Sequence, residues 1–271
     1  MTDAEMLIPD GPVLLSMSPS GVAHLTLNRP EASNGMNVPL LKGLQEAVML
    51  THSDSRARVL LITGEGPNFC AGGDVKDFAS KGEALPDYLR EATAWLQIVA
   101  SALINLSVPV VASVHGFAAG GGGLGLVCAS DFVIAAESAR FMSGATRVGM
   151  APDAGVSVTL PKLVGLRRAL DIVLRSPQLD AAEALDIGLI TRVVADDELA
   201  AATTELVEEL AAMAPAALAA SKRLLWSGLD SGVEGQLAEE ARTVSELSGT
   251  ADSREGLAAV IERRKPIFKG L

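Results

Sequence analysis

Val110-Val111-Ala112-Ser113-Val114-His115-Gly116-Phe117-Ala118-Ala119-Gly120-Gly121-Gly122-Gly123-Leu124-Gly125-Leu126-Val127-Cys128 is the stretch that organises this chain. Val110–Val114 follows Pro109 and is a short run of β-branched and small apolar residues, the pattern of a buried strand. A glycine-rich turn comes next, and an apolar helix is expected from Leu124. The same step occurs upstream. Val59–Thr63 is a β-branched strand, and its loop runs through Gly64-Glu65-Gly66-Pro67-Asn68 to Ala71-Gly72-Gly73-Asp74, with helical sequence to residue 78. Two strand–turn–helix steps imply an α/β core of stacked β-β-α units, although the repeat is degenerate.

The surrounding segments fit this reading. Val13–Met17 and Val22–Leu27 flank Ser18-Pro19-Ser20-Gly21 as a β-hairpin. Pro39 opens an amphipathic helix, Leu40 to Thr51, and a longer one runs from Pro86 to Leu106. Phe132–Ala135 is a further strand before Arg140–Met142, and the turn Gly149-Met150-Ala151-Pro152-Asp153 leads into helical sequence. After Leu163 helices dominate, at 166–175, 181–187, 196–213, 215–227, 233–247 and 252–264. Only Ile190–Val194 has strand character there. The chain therefore divides into an α/β core, 1–195, and a helical C-terminal part, 196–271.

Composition narrows the function. The 22 basic against 33 acidic residues leave a net charge of −11, which disfavours general nucleic-acid binding through phosphate neutralisation. Cys70 and Cys128 make no disulfide framework, and with only His24, His52 and His115 no metal pattern emerges. No basic-then-apolar leader and no uninterrupted membrane span is visible, so the default expectation is a cytoplasmic protein without membrane partners.

The chemistry points to the two glycine turns. Gly120 to Gly125 satisfies G-x-G-x-x-G, but consecutive glycines fit many patterns, and no convincing acidic residue ends a following strand about 20 residues on, as a dinucleotide site needs. Taken together, the turns are more informative. Cys70–Asp74 and His115–Gly122 each offer backbone amides at a helix start, and two converging amides suit a thioester carbonyl that becomes an enolate.

At these residues the sequence resembles the enoyl-CoA hydratase/isomerase (crotonase) superfamily. The resemblance is carried by Leu27-Asn28-Arg29-Pro30-Glu31-Ala32 with Asn34-Gly35-Met36-Asn37, by Phe69–Asp74, and by Pro109–Gly116 with the glycines after it. It continues through Asp131 to Phe141, Leu160–Gly165, Ala181–Ala184 to Gly188-Leu189, Ser253–Gly256 and Arg263–Phe268. It implies a crotonase-like spiral of β-β-α units, with 1–195 as the core holding the acyl-CoA site and 196–271 as a trimerisation part. A homotrimer or hexamer is the expected assembly. The expected ligand is an acyl-CoA thioester, with coenzyme A as part of the substrate and no tightly bound cofactor or metal.

Carried over by position, the oxyanion donors are the amides of Gly73 and of Gly121 or Gly122. Arg29, Ala32, Ala71, Gly72, Asp74, Val75 and Lys76 fall along the expected acyl-CoA path, with Ala145, Met150 and Arg263. The two glutamates of the family's hydratases are missing: Leu124 or Gly125 stands at the first position and Ala145 at the second. Asp153 remains, at a turn where several enoyl-CoA isomerases of the family carry an acidic proton shuttle. The expected activity is thus delta-3 to delta-2 enoyl-CoA isomerisation with Asp153 as acid/base. The alternatives are an atypical hydratase or other crotonase reaction, and a non-catalytic acyl-CoA-binding protein. Plainer readings stand beside these: Asp153 and Asp74 as helix caps, Cys70 as a packed thiol, His115 as structural, and Arg29, Lys76 and Arg263 as ordinary surface cations.

Overall fold

Alternation along the central strands assigns each side chain to one of two cores. In the computed structural model, which describes residues 4–271, the first half contains β1 (Glu5–Ile8), β2 (Val13–Met17), β3 (Val22–Leu27), α1 (Val38–Ser53), β4 (Val59–Gly64), α2 (Val75–Ser80), α3 (Leu85–Asn105) and β5 (Val110–Val114). There follow β6 (Phe117–Ala119), α4 (Gly120–Ala129), β7 (Phe132–Ala136), β8 (Arg140–Met142), α5 (Val156–Val164), α6 (Leu166–Leu170), β9 (Leu179–Asp180), α7 (Ala181–Asp186) and β10 (Arg192–Val194). The chain ends in α8 (Leu199–Ala211), α9 (Pro215–Gly228), α10 (Val233–Ser248) and α11 (Ala251–Glu262).

A seven-stranded sheet runs in the order β1-β2-β3-β4-β5-β7-β10, and β6-β8-β9 form a smaller sheet. The expected hairpin is present, with β2 antiparallel to β3 and Val13 opposite Leu27. From β3 through β4, β5 and β7 to β10 the pairing is parallel. Leu60 and Ile62 of β4 and Val110, Ala112 and Val114 of β5 face the main core beneath α1, α3 and α4. Val59, Leu61 and Val111 face the other way, onto Val207 and Leu210 of α8. Burial on both faces explains why these strands are continuously apolar.

α8 thus packs on the sheet, and α9 is tied to the core where Lys222 Nζ donates to the Leu103 and Val108 carbonyl oxygens at 3.0 and 3.3 Å. The C-terminal tail returns to α11, where the Asp252 carboxylate accepts the amides of Lys269 and Gly270 at 2.8 Å each. No helix among the described residues is long and apolar enough to cross a membrane.

The structure departs from the sequence reading in places. Strand β1 lies outside the expected elements, and only Arg192–Val194 of the expected strand 190–194 is extended. The larger departure is α4, which begins at Gly120 rather than Leu124. A run of glycines is a poor helix former by itself. Here close packing overrides propensity, because a Cβ at Gly123 would stand 2.2 Å from the Cys70 carbonyl oxygen and one at Gly125 would stand 2.5 Å from the Ala154 Cβ. Helical glycines are the residues that fit.

Candidate active site

Asn34 organises the first turn. It is fully buried with φ 55°, a left-handed conformation that asparagine tolerates. Its Oδ1 accepts the Arg29 amide at 2.8 Å, and its Nδ2 donates to the carbonyls of Glu65, Asn68 and Phe69 at 2.9, 2.8 and 3.1 Å. This anchors the loop from β4 into the turn. Beyond it, Ala71 N donates to Ser33 O, Met36 N to Gly72 O, and Asp74 N to Met36 O. The Gly73 amide has no such partner among the described residues. Gly72, at φ 106°, is needed for the turn itself.

The second turn meets the first. A Cβ on Gly120 would lie 3.0 Å from Gly72 Cα and 3.6 Å from Gly73 N. Gly120, Gly121 and Gly122 open α4, so their amides have no acceptor within the helix and add to its positive end. The two turns therefore present free amides to one place. Gly121 is partly exposed there, whereas Gly122 is buried, within reach of the Cys70 side chain.

Both turns line a cavity of about 640 Å³. Asp153 lines it, and a Cβ on Gly121 would fall only 1.5 Å from Asp153 Oδ1, so the carboxylate fills the space beside that glycine. Burial pushes the Asp153 carboxyl above the usual carboxylate range, because the charged form loses hydration. Asp153 does not cap α5: Gly155 precedes that helix, and no side chain caps it. Among the described residues Arg147 is the other ionisable one on the cavity wall, and its Nη2 donates to Ser176 O at 2.6 Å. The rest of the wall is apolar or small. This arrangement can polarise a carbonyl oxygen and move a proton beside it.

Known proteins resemble this chain along most of its length. The family profile described as Enoyl-CoA hydratase/isomerase matches residues 17–271. The chain belongs to the enoyl-CoA hydratase/isomerase family. A Rhodobacter capsulatus protein described as "Probable enoyl-CoA hydratase" is 40% identical over 250 residues, covering 92% of this chain and 95% of the relative. The 1,2-epoxyphenylacetyl-CoA isomerase of Escherichia coli is 36% identical over 260 residues, covering 95% and 98%. Among solved structures, an enoyl-CoA hydratase from Bacillus anthracis superposes with a TM-score of 0.91 at 31% identity, covering 96% of this chain and all of that one. The fold is thus that of the crotonase enzymes, and the family acts on acyl-CoA thioesters.

Of the residues that the family resemblance singled out, Ala71, Gly72, Gly73, Val75, Gly121 and Gly122 line the cavity, as do Ala145, Met150 and Asp153. Arg29, Ala32, Asp74, Lys76 and Arg263 do not. Arg29 is drawn inward, donating to Gly35 O at 2.5 Å and to Asp74 Oδ2 at 3.0 Å, so its charge is already paired. Asp74 is the N-cap of α2, accepting from Asp77 N. Lys76 and Arg263 are exposed, the latter at the C-terminal end of α11. Leu124 is buried in the core, and Gly125 packs on Ala154. Leu124, Gly125 and Ala145, the positions to which the resemblance assigns the two hydratase glutamates, carry no carboxylate.

Cys70 is fully buried. Its thiol is pushed up to about 12 by desolvation, and it donates to Asn34 O, so it is a packed group and not a nucleophile. His115 bonds the Gly66 carbonyl oxygen at 2.8 Å and is structural. Sequence reasoning missed Phe78 and one face of α3, which form much of the apolar wall. The α3 stripe was legible as apolar, but such a stripe does not say whether core or cavity covers it.

Proposed function

We propose that the chain isomerises delta-3 enoyl-CoA thioesters to delta-2. The amides of Gly73 and Gly121 receive the thioester oxygen, and Gly121 is preferred to Gly122 because it is the less buried of the two. The Asp153 carboxylate removes a proton from carbon 2. The electrons pass into the thioester as a dienolate, whose oxygen charge the two amides stabilise. Asp153 then returns the proton to carbon 4, leaving the double bond between carbons 2 and 3. No water enters the balance. A base that gives back what it takes benefits from a raised pKa, which burial supplies.

The observation that carries this reading is that Asp153 is the only carboxylate on the cavity wall among the described residues. Hydration is the second reading, favoured by the description of the Rhodobacter capsulatus relative. Exposed apolar residues on α9 to α11, including Leu225, Val244, Val260 and Ile261, support assembly as a trimer or hexamer. The test is to incubate the protein with 2-enoyl- and 3-enoyl-CoAs and follow double-bond position and water addition. Migration without hydration is expected, and Asp153→Asn should lower turnover by ~100-fold or more while CoA binding persists. Hydration alone, or full activity in Asp153→Asn, would overturn the assignment.

A further inference from the structure

Beyond the reacting atoms, the cavity has a direction. Leu85, Leu89, Ala92, Thr93 and Leu96 all line it. Their spacing places them on a single face of α3, and at 1.5 Å per residue that face runs for about 16 Å. Met36, Leu41, Met142 and Met150 face the same space. The Thr93 hydroxyl is spent on the Leu89 carbonyl oxygen at 2.7 Å, so this wall offers a ligand little to hydrogen-bond. A polar acyl group would lose its water there without replacement, whereas a hydrocarbon chain would gain.

Phe78 sets where the channel begins. A Cβ on Gly73 would lie 2.4 Å from Phe78 Cε2, so the ring occupies the room that glycine leaves. The ring is held from behind. Tyr88 of α3 meets it edge-on with centroids 6.1 Å apart, and the Tyr88 hydroxyl donates to Asp77 Oδ2 at 2.5 Å. Tyr88 Oη also accepts the Val38 amide at 3.2 Å, which ties α1, α2 and α3 together beside Phe78. With the ring over Gly73, a chain leaving a thioester bound at that amide is turned toward α3.

We propose that the site selects thioesters of medium-length apolar acyl chains, with Phe78 setting the direction of the chain and the Leu85–Leu96 face of α3 measuring its length. This rests on the reading of the cavity as a thioester site but not on the isomerase chemistry. Calorimetric titration with saturated acyl-CoAs of four to ten carbons therefore tests it, since these ligands cannot react. Each buried methylene is worth up to about fourfold. After the cost of ordering the chain, the ten-carbon ester should bind about 100-fold tighter than the four-carbon one. Thr93→Trp, at an exposed position on the cavity wall, should weaken the ten-carbon ester by about 10-fold or more and leave the four-carbon ester nearly unchanged. Phe78→Ala should narrow the preference for the longer chain. Equal affinity for both esters in the unmodified protein would overturn the proposal, as would a Thr93→Trp variant that weakens all lengths alike. Neither result would bear on isomerisation, which the turnover assay reads separately.

Discussion

Gly121→Ala tests whether the space beside the second glycine turn is reserved for the Asp153 carboxylate. The new methyl carbon would lie 1.5 Å from Asp153 Oδ1, and real Cβ atoms essentially never approach closer than 3.0 Å. The carboxylate must therefore retreat by about 1.5 Å. The backbone has no objection, because Gly121 lies in α4 with a φ outside the left-handed region, where alanine is the better helix former by ~1 kcal/mol. Folding should survive, since Asp153 belongs to a loop and can move. Catalysis should not, since misplacing a reacting group by ~1 Å costs on the order of 100-fold. The expected result is a fall in kcat/KM for a 3-enoyl-CoA of ~100-fold or more, with the melting temperature and the affinity for a saturated acyl-CoA nearly unchanged. In an Asp153→Asn background, the same substitution should cost much less than it does alone, because the group it displaces no longer acts. A Gly121→Ala enzyme with near-normal turnover would refute the reasoning. So would additive losses in the double variant.

The raised Asp153 pKa carries a second expectation, for stability. A carboxyl whose folded pKa exceeds its unfolded value stabilises the fold below the unfolded pKa and loses that contribution as pH rises through the folded one. Asp153→Asn should accordingly be more stable than the unmodified protein at neutral pH, and thermal melts should show the gap closing toward acid. Lys222→Ala should be destabilising by about 3–5 kcal/mol in denaturant titration, because it strands the Asp131 carboxylate, which Lys222 Nζ pairs at 2.7 Å within the protein. Asn34→Asp, nearly isosteric, turns an acceptor toward the Glu65, Asn68 and Phe69 carbonyls and should cost about 3 kcal/mol or more by the same measurement. A loss below 1 kcal/mol would mean that the first turn does not depend on Asn34.

The strands β4 and β5 are short apolar runs between turn residues, a local pattern that survives in one dimension. Gly72 and Gly73 stood out because glycine clusters between a strand and a helix have few other uses. Asp153 stood out by its place in the family pattern, since an aspartate after a proline is by itself an ordinary cap. Phe78 gave no signal at all: one aromatic in a short helix has many possible neighbours, and its partner, Gly73, is defined by an absent side chain.

The amino-acid order alone therefore determined the α/β class, the helical C-terminal part, the two glycine turns and the family, because these rest on periodicity and on motifs read along the chain. Tertiary structure decided the rest. It began α4 at Gly120, because Cys70, Ala118 and Ala154 pack against its glycines too closely for a side chain there. It paired Arg29 with Asp74, set Asp153 against Gly121, and laid Phe78 over Gly73. The first two of these contacts join residues far apart in the chain, and the third depends on how α2 turns back over its own N-terminal loop, at distances of a few ångströms that no local pattern encodes.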